Sequence, residues 1–163
     1  HQEPLWAALR SGTLEVVATD HCPFNQKGQK DMGIDDFRKI PNGAAGIEHR
    51  LALMYTYGVL DGRLNLNQFV DVTSTRAAKI FGLYPRKGSI TVGADADLVI
   101  WDPEASGTIS VKTHHHKVDR NIFEGFATKG APSTVVVNGQ VQYQDGDLRV
   151  TRGAGRYLKR SLG

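Results

Sequence analysis

Apolar and polar positions follow one grammar before about residue 84 and another after it. Leu5 to Leu9 has the spacing of a short helix, which Ser11-Gly12 would stop. Leu14-Glu15-Val16-Val17-Ala18-Thr19 is a nearly unbroken apolar run of strand length, the pattern of a strand buried on both faces of a parallel sheet. It ends abruptly at Asp20-His21-Cys22-Pro23, and α/β barrels and open α/β sheets place their sites at such strand ends. Residues 25 to 43 carry little periodicity, several charges and Gly28, Gly33, Pro41 and Gly43, so they predict a functional or disordered loop. Helix is predicted from about Ala44 to Tyr57, with Ile47, Leu51, Met54 and Tyr55 at helical spacing and Gly58 near its end. Asn67 to Val72 predicts another helix. Thr73-Ser74-Thr75 supplies capping groups for a third, Arg76 to Phe81, which Gly82 can close.

Beyond Tyr84-Pro85 the pattern turns to strands. Ser89 to Gly93 alternates, Asp97 to Asp102 is a second short strand, and Thr108 to Val111 a third. Thr134 to Tyr143 is a hairpin, because Asn138-Gly139 readily takes the positive φ angles of a type I′ turn. Two units therefore meet near Pro85. Neither is complete by itself: a buried parallel strand needs neighbours, and a few short strands make a thin sheet. The chain reads as part of a larger protein.

Composition narrows the class. The chain has 163 residues, 23% charged and 40% hydrophobic, with Gly 18 and Pro 6, the profile of a globular protein rather than a disordered tail, collagen or coiled coil. No apolar run approaches the ~20 residues of a membrane span, so no membrane partner is expected. The lone cysteine, Cys22, excludes an internal disulfide and favours a reducing compartment, here the cytoplasm. A net charge of +3 is too mild to call for nucleic acid. The opening residues carry neither a basic n-region nor an apolar h-region, so they are not a signal peptide.

Asp20 is the first chemical candidate. A carboxylate at the mouth of an apolar strand can bind metal, act as a general base, or simply cap a turn. Residues adjacent on extended backbone point in opposite directions, so at most two of Asp20, His21 and Cys22 share a pocket. Cys22 is expected to be a small packed residue. His114-His115-His116 looks like a metal tract, yet its place among Lys112, Thr113 and Lys117 suggests a solvated strand end or subunit contact. His49, between Glu48 and Arg50, suggests a charged helix face. Gly28 and Gly33 lack the Lys-Ser/Thr of a phosphate loop. Arg149, Arg152, Arg156, Lys159 and Arg160 make the tail basic, which suits a solvated tail or one lying on a neighbouring subunit. Asn42, by its residues alone, is an ordinary member of a Pro-Asn-Gly turn.

Several strings resemble the dihydropyrimidinase and D-hydantoinase family of the amidohydrolase superfamily. They are Val17 to Phe24 (with Thr-Asp-His-Cys-Pro-Phe), Ile40 to Glu48, Val72 to Gly88, Gly93 to Pro103, Asn121 to Gly125, and Arg152 to Arg160. Together they cover nearly the whole chain. The resemblance implies an α/β fold: residues 1–84 as the end of a (β/α)8 TIM barrel with Val16 to Thr19 as its eighth strand, residues 85–146 as the C-terminal strands of a small β-sandwich, and 147–163 as a basic tail. It implies two divalent metal ions, zinc expected, bridged by hydroxide and by a carboxylated lysine outside this chain. Of the family's metal ligands only the aspartate falls here, at Asp20, which would also shuttle the proton during ring opening of dihydropyrimidines or 5-substituted hydantoins to N-carbamoyl amino acids. Asn42 matches the position whose backbone N–H and C=O recognise the substrate. The family implies a homotetramer.

The collapsin response mediator proteins share this fold without a metal centre, and resemble this chain around Asp20 but carry no aspartate there. Allantoinases and dihydroorotases typically show Ser-Asp-His-Ala-Pro-like strings, so Cys22 and Phe24 lean toward hydantoinase. If the polypeptide ended at these 163 residues, it would be inactive, because the remaining ligands lie upstream.

Overall fold

The computed structural model describes residues 1–160. Helix α1 (Gln2–Ser11) is longer than the Leu5–Leu9 pattern and is closed by Gly12 at φ 78, whose N–H donates to the Leu9 carbonyl. The strand expected over Leu14–Thr19 forms no ladder among the described residues. Val17 N–H donates to Val72 O (2.9 Å), the Arg50 guanidinium donates to Val17 O (2.7 Å), and a lone parallel bridge pairs His21 with Ala44. A parallel strand needs neighbours to take up its N–H and C=O groups, and no described segment runs beside this one for more than that bridge. Nor is it buried on both faces among the described residues: Val17 packs with Trp6, Leu9 and Phe69 against the buried cluster Met54, Leu64 and Val72, while Leu14 and Ala18 are exposed.

Helix begins later than Ala44. Helix α2 (Arg50–Met54) continues as the π-helical turn Tyr55–Leu60, whereas Gly46 N–H and Ile47 N–H donate to His21 Nδ1 (3.1 and 3.3 Å). Helix α3 (Leu66–Val70) starts with a capping box, Asn65 and Gln68 exchanging side-chain and backbone hydrogen bonds. The π-helical turn Asp71–Thr75 joins it without a break to α4 (Arg76–Ile80). Thr73-Ser74-Thr75 therefore caps nothing. Thr73 Oγ1 donates to Phe69 O (2.6 Å), and Thr75 Oγ1 donates outward to Gly88 O (2.8 Å).

Four antiparallel strands follow in the order β1-β2-β3-β4: β1 (Leu98–Thr108), β2 (Ala127–Val137), β3 (Gln140–Gln144) and β4 (Asp147–Leu148). Asn138 (φ 50) and Gly139 (φ 75) turn β2 into β3 as a type I′ pair requires. Ser89 to Gly93 is not a strand. Ser89 Oγ donates to Pro85 O (2.7 Å), the Thr91 carbonyl accepts the Ala94 N–H, and Ile90 and Val92 face outward. The expected third strand at Thr108 is the end of β1.

The sheet docks on the helical part through aromatic rings and one glycine. Tyr55 and Trp101 lie 5.3 Å apart by ring centroids, Phe69 and Trp101 6.3 Å. Lys129 N–H donates to Thr56 Oγ1 (2.9 Å), and Tyr57 OH donates to Ala127 O (3.0 Å). Leu98, Val99 and Ile100 on β1 remain exposed. In the tail, Arg160 stacks its guanidinium 6.0 Å from the Phe81 ring centroid; positions 161–163 of the predicted tail lie outside the described residues. No helix of the described residues is long and apolar enough to cross a membrane.

Candidate functional site: a carboxylate rim and a histidine cluster

The apolar segment ends on Asp20, whose backbone sits at φ 44. A non-glycine residue in the left-handed region costs on the order of 1–3 kcal/mol and is enriched at functional sites. Its carboxylate is exposed and makes no hydrogen bond or ion pair among the described residues, so it does not serve as a cap. One residue on, the His21–Ala44 bridge and the Cys22 N–H to Ala44 O hydrogen bond (3.2 Å) lay this rim alongside the segment containing Asn42. Cys22 is exposed rather than packed.

The Asn42 bend is held from both sides. The Lys30 ammonium, positioned by the short 3-10 turn Lys30–Gly33, donates to Pro41 O (2.5 Å) and to Gly43 O (2.6 Å). Gly43 takes φ 106 against Cys22. Asn42 itself is exposed. Sequence patterning misses Lys30, because a single lysine in an aperiodic loop gives no signal of what its ammonium will reach.

A second group gathers behind the rim. His49, His114 and His116 each offer a ring nitrogen, all within 4.8 Å of one another. This overturns two expectations: His49 is buried at 8% exposure instead of lining a charged face, and the His116 side chain is 5% exposed instead of solvated. The loop 114–125 folds back onto residues 46–49, just ahead of α2, which the local sequence does not announce. The Asn121 amide N–H group reaches His49 Nε2 (2.8 Å) and His114 Nδ1 (3.3 Å), and its Oδ1 accepts from Phe123 N–H (3.0 Å). His114 Nε2 lies 3.1 Å from Val118 O. His116 Nε2 has no hydrogen-bond partner and stands 3.6 Å from Glu48 Oε2.

Burial holds both His49 and His116 below the ordinary imidazole range, against the raising influence of Glu48. Burial would raise Glu48, but hydrogen bonds from the His115 ring and backbone, with the nearby imidazole charges, keep it below the usual carboxylate range. The arrangement favours neutral imidazoles with a counter-charge beside them.

The amidohydrolase family profile matches residues 1–141. The chain is 50% identical over 161 residues to a D-hydantoinase of Geobacillus stearothermophilus, covering 99% of this chain and 34% of that protein. It is 51% identical over 152 residues to a dihydropyrimidinase of Rattus norvegicus, covering 93% of this chain and 29% of that one. Among solved structures, D-hydantoinase from Bacillus sp. AR9 superposes with a TM-score of 0.96 at 52% identity, over 98% of this chain and 35% of its own. The chain thus spans about a third of the length of these relatives. Amidohydrolases are metal-dependent enzymes on a TIM barrel, which sets this α/β chain in that fold class. The chain belongs to the amidohydrolase family.

Proposed function

We propose that this chain is the closing portion of a cyclic amidase that opens dihydropyrimidine or 5-substituted hydantoin rings to N-carbamoyl amino acids. The observation that carries the reading is Asp20: an unpartnered, exposed carboxylate held at φ 44, beside the braced Asn42 bend. A free oxygen ligand at the end of an apolar segment fits the metal dependence of the family. Residues 1–84 are then the end of the catalytic barrel, with Val16–Thr19 completing it as the eighth strand once neighbours pair with it. Residues 85–146 are the sandwich share, and 147–163 a basic tail. The exposed apolar side chains of β1 support cover by the rest of such a protein.

Asp20 would hold one of two divalent cations, zinc by preference, with a carboxylated lysine outside the chain as a further ligand. When bound, the cations make hydroxide available near neutral pH and polarise the ring carbonyl. Asp20 accepts a proton at its carboxylate and delivers it to the departing ring nitrogen. The backbone N–H and C=O of Asn42 pair with the imide-like edge of the substrate, an alternation of donor and acceptor that a main chain supplies directly. Gly43 lets that backbone approach the ring closely. The enzyme works as a cytoplasmic homotetramer on small-molecule substrates.

The test uses the native polypeptide that carries these residues. Asp20→Ala and Asp20→Asn should lower kcat by about 10²–10⁴-fold, the range for a general acid–base group, and reduce bound metal. Unchanged dihydrouracil and hydantoin hydrolysis with unchanged metal content would dismiss the assignment. The 163-residue chain by itself should show no turnover.

A further inference from the structure

The geometry points to a binding site for a zinc-class divalent cation at His49, His114 and His116, with Glu48 beside it as counter-charge. Asp20 is not among its ligands.

Three features carry this. First, two lone pairs already converge. The Asn121 amide sends its N–H group to both His49 Nε2 and His114 Nδ1, and its orientation is fixed because Oδ1 accepts from Phe123 N–H. Both ring nitrogens are therefore deprotonated acceptors aimed at one region, which is what a borderline-soft cation requires. Second, His114 is set as a ligand usually is. Its other nitrogen, Nε2, donates to the Val118 carbonyl (3.1 Å), fixing tautomer and ring orientation as outer-shell partners of metal-bound histidines do. Third, His116 Nε2 is enclosed, on a side chain 5% exposed, with no hydrogen bond to give up. Burying such a group without a partner is costly, and a cation would satisfy it.

The cluster must tighten to bind. Nitrogens around zinc at ~2.0–2.1 Å lie about 3.4 Å apart, so the 4.8 Å span has to shrink by roughly 1.4 Å. Small ring rotations of His116 toward the other two supply that movement, with the Asn121 N–H group displaced from the nitrogens it now occupies. Glu48 Oε2, 3.6 Å from His116 Nε2, offsets the added charge from a carboxylate already anchored by His115.

The probe is cobalt(II), then zinc, added to the metal-stripped chain. Cobalt should give the intense ligand-field bands of a four-coordinate, nitrogen-bound ion, and zinc should quench them by displacement. His116→Gln and His49→Gln should each weaken zinc binding by at least on the order of 100-fold, beyond the 10–100-fold typical of outer-shell changes. Lys117→Gln, an exposed neighbour outside the triad, should leave binding within a few-fold of the parent. Absent bands, bands of six-coordinate cobalt, or zinc affinity indifferent to His116→Gln overturn the site. The cobalt spectrum of the unmutated chain decides the matter should the variants fail to fold. X-ray absorption should count the same imidazoles on bound zinc, independently of Asp20, and a zinc shell without them overturns the site as well.

Discussion

A Cβ placed on Gly43 would stand 2.4 Å from the Cβ of Cys22 and 3.1 Å from its carbonyl oxygen. The rim carrying Asp20 and the bend carrying Asn42 are thus in contact through a position that admits no side chain. Gly43→Ala meets two penalties: φ 106, strained by about 1–3 kcal/mol for a residue with a Cβ, and a contact no real Cβ makes. The expected outcome is a lower urea midpoint. In the native polypeptide KM should rise, because Asn42 is pushed off the rim. An unaltered midpoint and KM would show that the two segments separate freely.

Lys30 braces the same bend from the other side. Its ammonium donates to the carbonyls flanking Asn42, so Lys30→Met leaves both acceptors to water and frees the bend. Hydrogen bonds to charged groups are worth about 1.5–3 kcal/mol each, less where solvent competes. Lys30 acts as a positioning residue. KM for dihydrouracil should therefore rise by about tenfold, near 1.4 kcal/mol, while kcat changes less, and Lys30→Arg should recover part of the loss. A fall in kcat alone would contradict the assignment.

How much of this can be read from sequence differs by residue. Asn138-Gly139 announces its turn because the φ requirement is local, and the compact apolar run Leu98 to Trp101 announces β1, whereas the alternation of Ser89 to Gly93 forms no strand. The Leu14–Thr19 run reads as a strand buried on both faces, yet Leu14 and Ala18 stay exposed while Val17 packs inward, because pairing and cover depend on partners that no local pattern supplies. Asp20 is a candidate from its place at the end of an apolar run, Asn42 only through strings that resemble a family; their bridge-mediated adjacency is a tertiary fact. His49 and His116 escape a local reading for the same reason. Charged neighbours such as Glu48, Arg50 and Lys117 make each look solvated, while the fold-back of the 114–125 loop buries them together. The Thr73-Ser74-Thr75 hydroxyls fit a helix start, and helix continuity through the π turn gives them other acceptors.

That fold-back is tied down by Asp119, which sets a pH dependence. Its carboxylate accepts from Gln26 N–H (2.5 Å) and Lys27 N–H (3.1 Å), and these bonds hold it below its ordinary value of 3.8. Protonation weakens both. Because the folded-state value is depressed, the contribution is full above the unfolded value and disappears as pH falls through the folded one, so the window lies below about pH 4. The amide resonances of Gln26 and Lys27 should shift together through that window. Asp119→Asn should abolish the step. Titration of those amides unaffected by the substitution would place its cause elsewhere.

Gly130 decides whether the sheet can stay docked on the helices. It lies in β2 at φ +84, and a Cβ there would approach Tyr55 Cδ1 to 2.5 Å and Trp101 Nε1 to 2.8 Å. Backbone strain of about 1–3 kcal/mol adds to overpacking of about 1–3 kcal/mol, a large share of the ~5–15 kcal/mol that holds a domain together. Gly130→Ala should therefore separate the sheet from α2 and its π turn, seen as loss of the near-ultraviolet dichroism of Tyr55 and Trp101. Only the packing part can be relieved by its neighbour. Tyr55→Leu combined with Gly130→Ala should cost less than the sum of the two single changes, since one removes the atoms the other collides with. Strict additivity would mean that the ring and the glycine do not meet, and that backbone conformation alone fixes this residue.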